Sequence, residues 1–413
     1  MEIKKVVEKN FDKAVDFLVE LIKFKSISGK GEKGVQEFIK ENFSQFGKAE
    51  LIEIDENIKR DPEYTFSDKD LDYSERKNLV LKIAGEGEGK SLILNSHCDV
   101  VPAADWKDAF NPVIKDGYLY GRGACDAKGQ VATIYLTLLT LKELGIKLKG
   151  DIIVEIVIEE EIGGNGTLSL IRDGYKGDGV VVFEPTDMKI HPANRGALWF
   201  KLEIEGKSVH MGKKIEGVGA IEKMCFIVRK LIGYEEKLIE ESRNVPLFEK
   251  FDPPPVQVNF GTIEGKGWPS MVCSKVELEG GVGFLPNKNI TQIKEEVESI
   301  IRESGDEWIK NHYKLSFNKL HNDAYSIPPE HPLVNVLKEA SENVLGEAVV
   351  EGWVASCDAR LFNKIGKMPV VVFGPGCLDD AHSNNEKIKV VDIKKAGEVA
   401  TETVIKWCGG KKW

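Results

Sequence analysis

The apolar run Ile152-Ile153-Val154-Glu155-Ile156-Val157-Ile158 ends at Glu159-Glu160-Glu161, and Gly163-Gly164-Asn165-Gly166 follows directly. A β-branched run that glycines close is typical of a buried strand entering a loop, where open α/β sheets bind their ligands. The three carboxylates repel one another, and unpaired charge in a cleft is costly to desolvate. The stretch therefore predicts a site for positive charge, and we favour a metal ion.

The overall composition sets the class of protein. The chain has 413 residues, of which 42% are hydrophobic, which is enough for two domains with separate cores. A formal net charge of -10 and the lack of a basic patch argue against a nucleic-acid partner. The cysteines number seven and form no C-x-x-C pair, which predicts a reducing compartment. With no signal peptide and no membrane-spanning run in the sequence, we expect a cytoplasmic protein without membrane contacts.

Further apolar runs precede polar residues elsewhere in the chain. Ser91-Leu92-Ile93-Leu94-Asn95 leads to His97, and Gly179-Val180-Val181-Val182-Phe183 leads to Glu184. A helical run at residues 131–144 lies between these segments. Strands that alternate with helices predict an α/β fold with a mostly parallel, doubly wound sheet.

The pattern changes between Gly196 and about Leu320. Extended and helical segments there follow the order βαββαβ, which suggests a small ferredoxin-like domain. Residues 368–373 then read as another central strand, so the small domain is predicted to be an insertion. The predicted division is a catalytic domain in two parts, residues 1–195 and 321–413, with an inserted lid domain at 196–320.

The sequence also predicts structural roles for one polar segment and two charged residues. The polar segment at residues 55–77 is predicted to be a surface excursion. Glu159 is interpreted as a solvated or structural neighbour of the two glutamates that follow it. Arg122 is interpreted as an ion-pair partner for a site carboxylate in preference to a substrate contact.

Several metal-type side chains follow the predicted strands, and one, Asp126, heads a glycine-flanked turn. Because the carboxyl ends of parallel strands share one sheet edge, these positions can converge. They are His97, Asp126, Glu160, Glu161, Glu184 and His382. Imidazoles and carboxylates without a thiolate suit Zn²⁺ or Co²⁺. Two ions that share a bridging carboxylate balance the negative charge better than one ion, as in many hydrolytic sites.

The motifs around these residues recur in a fixed order along nearly the whole chain. They are His97-x-Asp99, Gly121-Arg122-Gly123 leading to Asp126-x-Lys128-Gly129, Glu160-Glu161-x-Gly163-Gly164, Glu184-Pro185-Thr186, and Gly374-Pro375-Gly376 followed by His382. As a set they resemble the dizinc amidohydrolase and exopeptidase family. That family includes acetylornithine deacetylase, succinyl-diaminopimelate desuccinylase, aminoacylase and glutamate carboxypeptidase.

The resemblance implies a ligand set for two Zn²⁺ ions per chain, with Co²⁺ as a possible substitute. Asp126 would bridge the ions. His97 and Glu184 would complete the site of one ion, and Glu161 and His382 the site of the other.

The resemblance also implies catalytic roles. Asp99 would orient the ring of His97, as carboxylates behind metal ligands do. Glu160 would be the general base that takes a proton from a metal-bound water, and the hydroxide would attack an amide carbonyl. His210, in Ser208-Val209-His210, matches a lid histidine that stabilises the tetrahedral oxyanion and often comes from the partner subunit. A homodimer through the lid follows from the same resemblance.

Substrate recognition is less defined. Arg360, in Ser356-Cys357-Asp358-Ala359-Arg360, matches a family arginine that can hold a substrate carboxylate, and its guanidinium fork suits that ligand. Trp268-Pro269-Ser270 departs from the family pattern in the lid, where many relatives carry an asparagine.

The expected function is metal-dependent hydrolysis of an N-acyl amino acid or small peptide by a deacylase. A dipeptidase or carboxypeptidase of the same family, and a non-catalytic binding relative, are the alternatives. A glycosidase with paired carboxylates would differ from all of these by surviving chelation.

Overall fold

The computed structural model describes residues 2–67, 70–317 and 319–410. Internal contacts divide the chain into two compact units. The first unit comprises Met1–Ala193, Ile327–Trp353 and Cys357–Trp413, and the second comprises Asn194–Ser326 and Val354–Ser356. The sequence-based division at residues 196 and 320 stays a prediction. The contacts divide the chain at 194 and 326 and add a short later segment to the second unit.

Strands and helices alternate through most of the described chain. The strands are β1 (Lys48–Glu53), β2 (Lys77–Ile83), β3 (Leu92–His97), β4 (Val113–Lys115), β5 (Tyr118–Tyr120), β6 (Ile152–Val157), β7 (Gly179–Val182), β8 (Ile190–Asn194), β9 (Gly196–Glu205), β10 (Gln257–Gly265), β11 (Lys275–Phe284), β12 (Tyr313–Ser316), β13 (His321–Asn322), β14 (Tyr325–Ser326), β15 (Val350–Trp353), β16 (Val370–Val372) and β17 (Lys387–Lys389). The helices are α1 (Glu2–Lys23), α2 (Glu32–Phe43), α3 (Lys128–Leu144), α4 (Asn165–Arg172), α5 (Ala220–Glu241), α6 (Ile290–Arg302), α7 (Pro332–Leu345), α8 (Ala359–Lys364) and α9 (Val390–Cys408).

The first unit is built on a mixed sheet whose strands lie in the order β1-β2-β6-β3-β7-β16-β8. The central strands β6, β3, β7 and β16 are parallel, whereas β1, β2 and β8 pair antiparallel at the two sides. Every residue of β3 and β6 is buried, as expected for parallel strands covered on both faces. The prediction of an α/β fold with a mostly parallel central sheet is confirmed.

Helices supply the rest of the first unit's core. Helix α3 packs against α1 and α9, and both α3 and α9 contact β3. Nearly all of α3 is buried, because it is apolar on every side and carries no charged face. In the described part of the chain, no helix combines the length and apolarity that spanning a lipid bilayer requires.

The second unit has a five-stranded antiparallel sheet, in which four strands follow the order β10-β11-β9-β12 and β13 also pairs with β9. Helices α5 and α6 pack on it. Along β9, Leu198, Phe200, Leu202 and Ile204 are buried in alternation with more exposed residues, so one face of the sheet forms the core. The βαββαβ order and this strand order define a ferredoxin-like fold.

The segment at residues 55–77 differs from its sequence prediction. Tyr64, Tyr73 and Arg76 are almost completely buried, so the prediction of a surface excursion is wrong at these positions, although the exposed residues of the segment agree with it. Its polar composition is misleading at these positions because Tyr73 and Arg76 bond to Glu159, in the loop that follows β6, and Tyr64 bonds to Tyr73. The part that precedes β2 is here called the 55–76 segment, and its residues 68 and 69 lie outside the described residues.

Candidate metal centre

Three adjacent parallel strands carry candidate ligands to one edge of the sheet. His97 is the last residue of β3, Glu161 follows β6, and Glu184 follows β7. Strands β6 and β7 both pair with β3 in parallel register, which aligns their carboxyl ends. The convergence that the apolar runs predicted therefore has a simple structural cause.

Asp126 stands in the turn that leads into α3, and its backbone is held by a residue far along the chain. Glu386 is fully buried, and its Oε1 accepts hydrogen bonds from the amides of Cys125 and Asp126, both at 2.9 Å. Its Oε2 accepts a hydrogen bond from Nη1 of Arg122 at 2.6 Å. Arg122 thus makes a structural ion pair, as the sequence indicated. Sequence reasoning missed Glu386, because no local motif marks it.

The candidate ligands form two groups that share Asp126. In each group, one donor atom per residue lies within 4.8 Å of the others. His97 Nε2 is 3.0 Å from Asp126 Oδ1 and 4.0 Å from Glu184 Oε1. His382 Nε2 is 3.3 Å from Asp126 Oδ2 and 3.0 Å from Glu161 Oε2. Asp126 therefore turns one carboxylate oxygen toward each imidazole.

The side chains of the two groups shift one another's pKa. Hydrogen bonds to Asp126 and Glu161 raise the pKa of His382 to about 10. Burial opposes protonation of His97, but hydrogen bonds to Asp126 and Asp99 hold its pKa well above the usual range. Burial and the Asp126 carboxylate raise the pKa of Glu161 to about 7. Crowded carboxylates that hold protonated imidazoles form a site that a divalent cation fits, because the cation can replace those protons.

Asp99 connects His97 to the two glutamates. The Nδ1 atom of His97 donates to the backbone carbonyl of Asp99 at 2.9 Å and lies 3.4 Å from its Oδ1. The buried Asp99 carboxylate accepts hydrogen bonds from the amides of Glu160 and Glu161, both at 3.3 Å. One residue therefore fixes the imidazole tautomer and the start of the glutamate pair, as residues behind metal ligands do.

Glu160 belongs to neither group, but the charges of Glu184 and His97 act on its carboxyl group. Burial, followed by the charge of Glu184, raises its pKa well above the usual range for a carboxyl group. A carboxyl group whose pKa is raised in this way is suited to taking up and returning a proton near neutral pH.

The remaining two candidate residues have different surroundings. Arg360 is only 2% exposed, its Nη2 donates to the backbone carbonyl of Gly163 at 2.8 Å, and its Nη1 lies 3.8 Å from Glu63 Oε2. Its assignment as a carboxylate anchor stays a prediction, and the bond to Gly163 gives it a structural role as well. His210 is exposed in the second unit, where its Nδ1 accepts a hydrogen bond from the amide of Gly212 at 3.2 Å. Its catalytic role also stays a prediction.

Comparisons with known proteins identify the family. The profile of the Peptidase family M20/M25/M40 matches residues 93–406, so the chain belongs to this family. The chain is 30% identical over 363 residues to an N-formyl-4-amino-5-aminomethyl-2-methylpyrimidine deformylase of Bacillus subtilis, covering 81% of this chain and 84% of the relative. It is 29% identical over 345 residues to an acetylornithine deacetylase of Myxococcus xanthus, covering 82% of this chain and 86% of the relative.

Solved structures agree on the fold. The structure of a tripeptidase from Staphylococcus aureus matches with a TM-score of 0.76 at 22% identity, covering 97% of this chain and 99% of the other. Human carnosine dipeptidase 1 matches with a TM-score of 0.72 at 17% identity, covering 98% of both chains. Together with the family match, these findings make the protein a metal-dependent amide hydrolase, and the sequence resemblance to the amidohydrolase and exopeptidase family is confirmed.

Proposed function

We propose that the protein removes a small acyl group from an amine or amino acid, using two Zn²⁺ ions that Co²⁺ can replace. Asp126 would bridge the ions, with His97 and Glu184 on one side and Glu161 and His382 on the other. The observation that carries the proposal is the pair of Asp126 oxygens, each of which faces a different imidazole at 3.0 and 3.3 Å. Nitrogen and carboxylate donors without a thiolate match the ligand preference of hydrolytic zinc sites.

The chain's own residues supply the proton transfers. Bound at these ligands, the ions would act as Lewis acids that polarise an amide carbonyl and lower the pKa of water. Glu160 would accept a proton from the attacking water and return it to the leaving amine. Asp99 would keep His97 in one tautomer and hold the amides of Glu160 and Glu161, so that the base stays beside the ligand groups.

The relatives favour a deacylase over a peptidase. The two named sequence relatives are a deformylase and a deacetylase, which remove the two smallest acyl groups from amines. The family is named for peptidases, but the particular peptidases that the chain resembles are solved structures below 25% identity, which support the fold alone. We therefore place N-formyl and N-acetyl substrates first, and a dipeptidase or carboxypeptidase activity second.

We also propose a homodimer through the second unit, with His210 acting on the oxyanion. Support comes from exposed apolar side chains of that unit, which in a monomer would remain in contact with water. They include Met211, Ile215, Ile263, Trp268 and Met271, of which Ile215 is 99% exposed. A cytoplasmic location is proposed as well, because all seven cysteines are free thiols.

Two measurements test the proposed chemistry. Purified protein is treated with EDTA, resupplied with Zn²⁺ or Co²⁺, and assayed with N-formyl, N-acetyl and N-succinyl amino acids, N-formyl aminomethyl heteroaromatics, and dipeptides. We expect activity to disappear on chelation and to return with about two equivalents of metal per chain. Hydrolysis that persists in EDTA would contradict the metal mechanism.

The second measurement concerns the base. Glu160→Gln removes the proton acceptor but keeps the shape and hydrogen-bonding capacity of the side chain. We expect it to retain two metals per chain and to lose at least about 100-fold in kcat. Full turnover in this variant would refute the assignment of Glu160.

A further inference from the structure

The loop at residues 159–164, here called the acidic loop, carries both Glu160 and Glu161. We propose that Glu159, the first residue of this loop, is a positioning residue for Glu160, held in place by Tyr73 and Arg76 of the 55–76 segment. The inference rests on the proposed function of Glu160 as the general base. It assigns a role in the reaction to a part of the chain outside the ligand set.

The backbone of Glu159 makes the turn on which the loop depends. Its φ angle is +63°, in the left-handed region that residues with a Cβ atom rarely adopt. Its carbonyl accepts hydrogen bonds from the amides of Gly163 at 3.2 Å and Gly164 at 2.8 Å, which close the acidic loop on itself. A disfavoured backbone conformation persists where the surrounding structure holds it in place, and here the side chain is the part that is held.

The Glu159 carboxylate is fully buried and is contacted from three directions. Its Oε1 lies 2.5 Å from Nη1 of Arg76. Its Oε2 accepts hydrogen bonds from the Tyr73 hydroxyl at 2.7 Å and from Nδ2 of Asn165 at 2.8 Å. Of the two interpretations left open by the sequence, solvated or structural, the structure supports the second.

Arg76 extends this contact to another part of the fold. Its guanidinium binds Glu32 through two bonds, Nε to Oε2 at 3.1 Å and Nη2 to Oε1 at 2.7 Å. Glu32 is the first residue of α2, and its Oε1 also accepts the amide of Gly29 at 2.8 Å. Because one guanidinium serves two buried carboxylates, its position is defined on both sides, and it holds Glu159 rigidly.

The backbone of Glu160 is therefore held both before and after this residue. The residue before it is held by the 55–76 segment, and its own amide and that of Glu161 are held by Asp99. The efficiency of proton transfer depends on the distance and direction between base and water, and a displacement of about 1 Å can cost about 100-fold in rate. Loosening Glu159 should therefore lower kcat without removing a ligand or a substrate contact.

The test compares two tyrosines of the same segment in the metal-loaded enzyme. Tyr73→Phe removes the hydroxyl that donates to Glu159. Tyr64→Phe is the matched control, because the buried Tyr64 hydroxyl contacts the Tyr73 hydroxyl at 3.0 Å and lies one step farther from Glu159. We expect Tyr73→Phe to lower kcat about 10-fold with KM within about 2-fold, and Tyr64→Phe to leave both within about 2-fold.

Glu159→Gln is the stronger change, because it also removes the ion pair with Arg76. We expect kcat to fall about 100-fold with two metals per chain retained. Hydrogen exchange of the Gly163 and Gly164 amides should accelerate about 10-fold in this variant, a readout that does not depend on turnover. Should Glu159→Gln fail to fold, Tyr73→Phe and its control carry the test.

The outcomes separate this inference from the assignment of the base. If Glu160→Gln is inactive but Tyr73→Phe and Glu159→Gln keep the kcat of the unmodified enzyme, the positioning role is overturned and the base stands. If Glu160→Gln hydrolyses substrate at the full rate, the assignment of Glu160 as the base is refuted, whatever the Glu159 and Tyr73 variants do. Equal losses of kcat in Tyr64→Phe and Tyr73→Phe at equal melting temperatures would also overturn the positioning role, because they would indicate general loosening of the segment.

Discussion

The side chain of Glu386 holds the backbone amide of Asp126 at 2.9 Å, although the two residues are 260 positions apart in the chain. Asp126 is the residue common to both ligand groups. The position of its turn therefore sets the distance between each of its carboxylate oxygens and the imidazole that the oxygen faces. The second oxygen of Glu386 is paired with the buried Arg122. One carboxylate therefore connects the turn to a neighbouring charge.

Glu386→Gln is expected to weaken metal binding. The amide oxygen can still accept the hydrogen bonds from both backbone amides, but Arg122 loses its ionic partner in a buried position, which typically costs about 3 kcal/mol or more. We expect metal affinity to fall about 10- to 100-fold, measured by competition with a chelator. Glu398→Gln is the control, because Glu398 is also buried but lies in α9 away from the ligand groups. Unchanged metal affinity in Glu386→Gln would contradict the prediction.

Much of the candidate site could be found from the sequence because of where it lies in the sheet. His97, Glu161 and Glu184 each lie at the end of a buried parallel strand or within four residues after it. Buried parallel strands are marked by short apolar runs, and their carboxyl ends share one edge, so the local pattern carries three-dimensional information. His382 also comes after an apolar run, at residues 368–373, whereas Asp126 heads a glycine-flanked turn, and only the set of motifs assigns it as the bridge.

The supporting contacts could not be found in the same way. Glu386, Arg76 and Tyr73 act through bonds to residues that are far away in the sequence, and no periodicity marks such partners. The 55–76 segment looked like a surface loop because its side chains are polar, yet polar side chains are buried when they pair with one another.

Arg360→Lys should distinguish a carboxylate anchor from a structural role. If Arg360 anchors the substrate carboxylate, the substitution should lower kcat/KM only for substrates with a free carboxylate. Because the guanidinium is almost fully buried and donates to the Gly163 carbonyl, we expect instead a similar loss of about 10-fold in kcat/KM for an N-acetyl amino acid and for its amide. A loss seen with the free acid alone would establish Arg360 as the anchor.

Glu155 should make the stability of the protein depend on pH. Burial in the middle of β6 raises its pKa to about 8, from 4.5, and a contact with Asn95 offsets part of this rise. Between these two values the folded state keeps a proton that the unfolded state has lost, so the free energy of unfolding falls as the pH rises. The loss of unfolding free energy from this residue is complete above about pH 8 and absent below about pH 4.5.

Glu155→Gln keeps the neutral form at every pH. We expect it to raise the free energy of unfolding by roughly 2 to 5 kcal/mol at pH 8 and by much less at pH 5, measured by urea unfolding. The exposed Glu347→Gln should change stability little at either pH. A gain for Glu155→Gln that is equal at both pH values would contradict a titration of this residue.

A mixture of two inactive variants tests whether His210 acts in a partner's site. His210→Ala and Glu160→Gln are each expected to lower kcat at least about 100-fold as homodimers. In a mixed dimer, a site that combines Glu160 of one chain with His210 of the other would have both residues intact, whereas the second site would lack both. Random pairing of equal amounts makes half of the dimers mixed, so about a quarter of the original activity should return. If His210 serves its own chain, every site in the mixture lacks one of the two residues, and coexpression of the two variants would restore nothing.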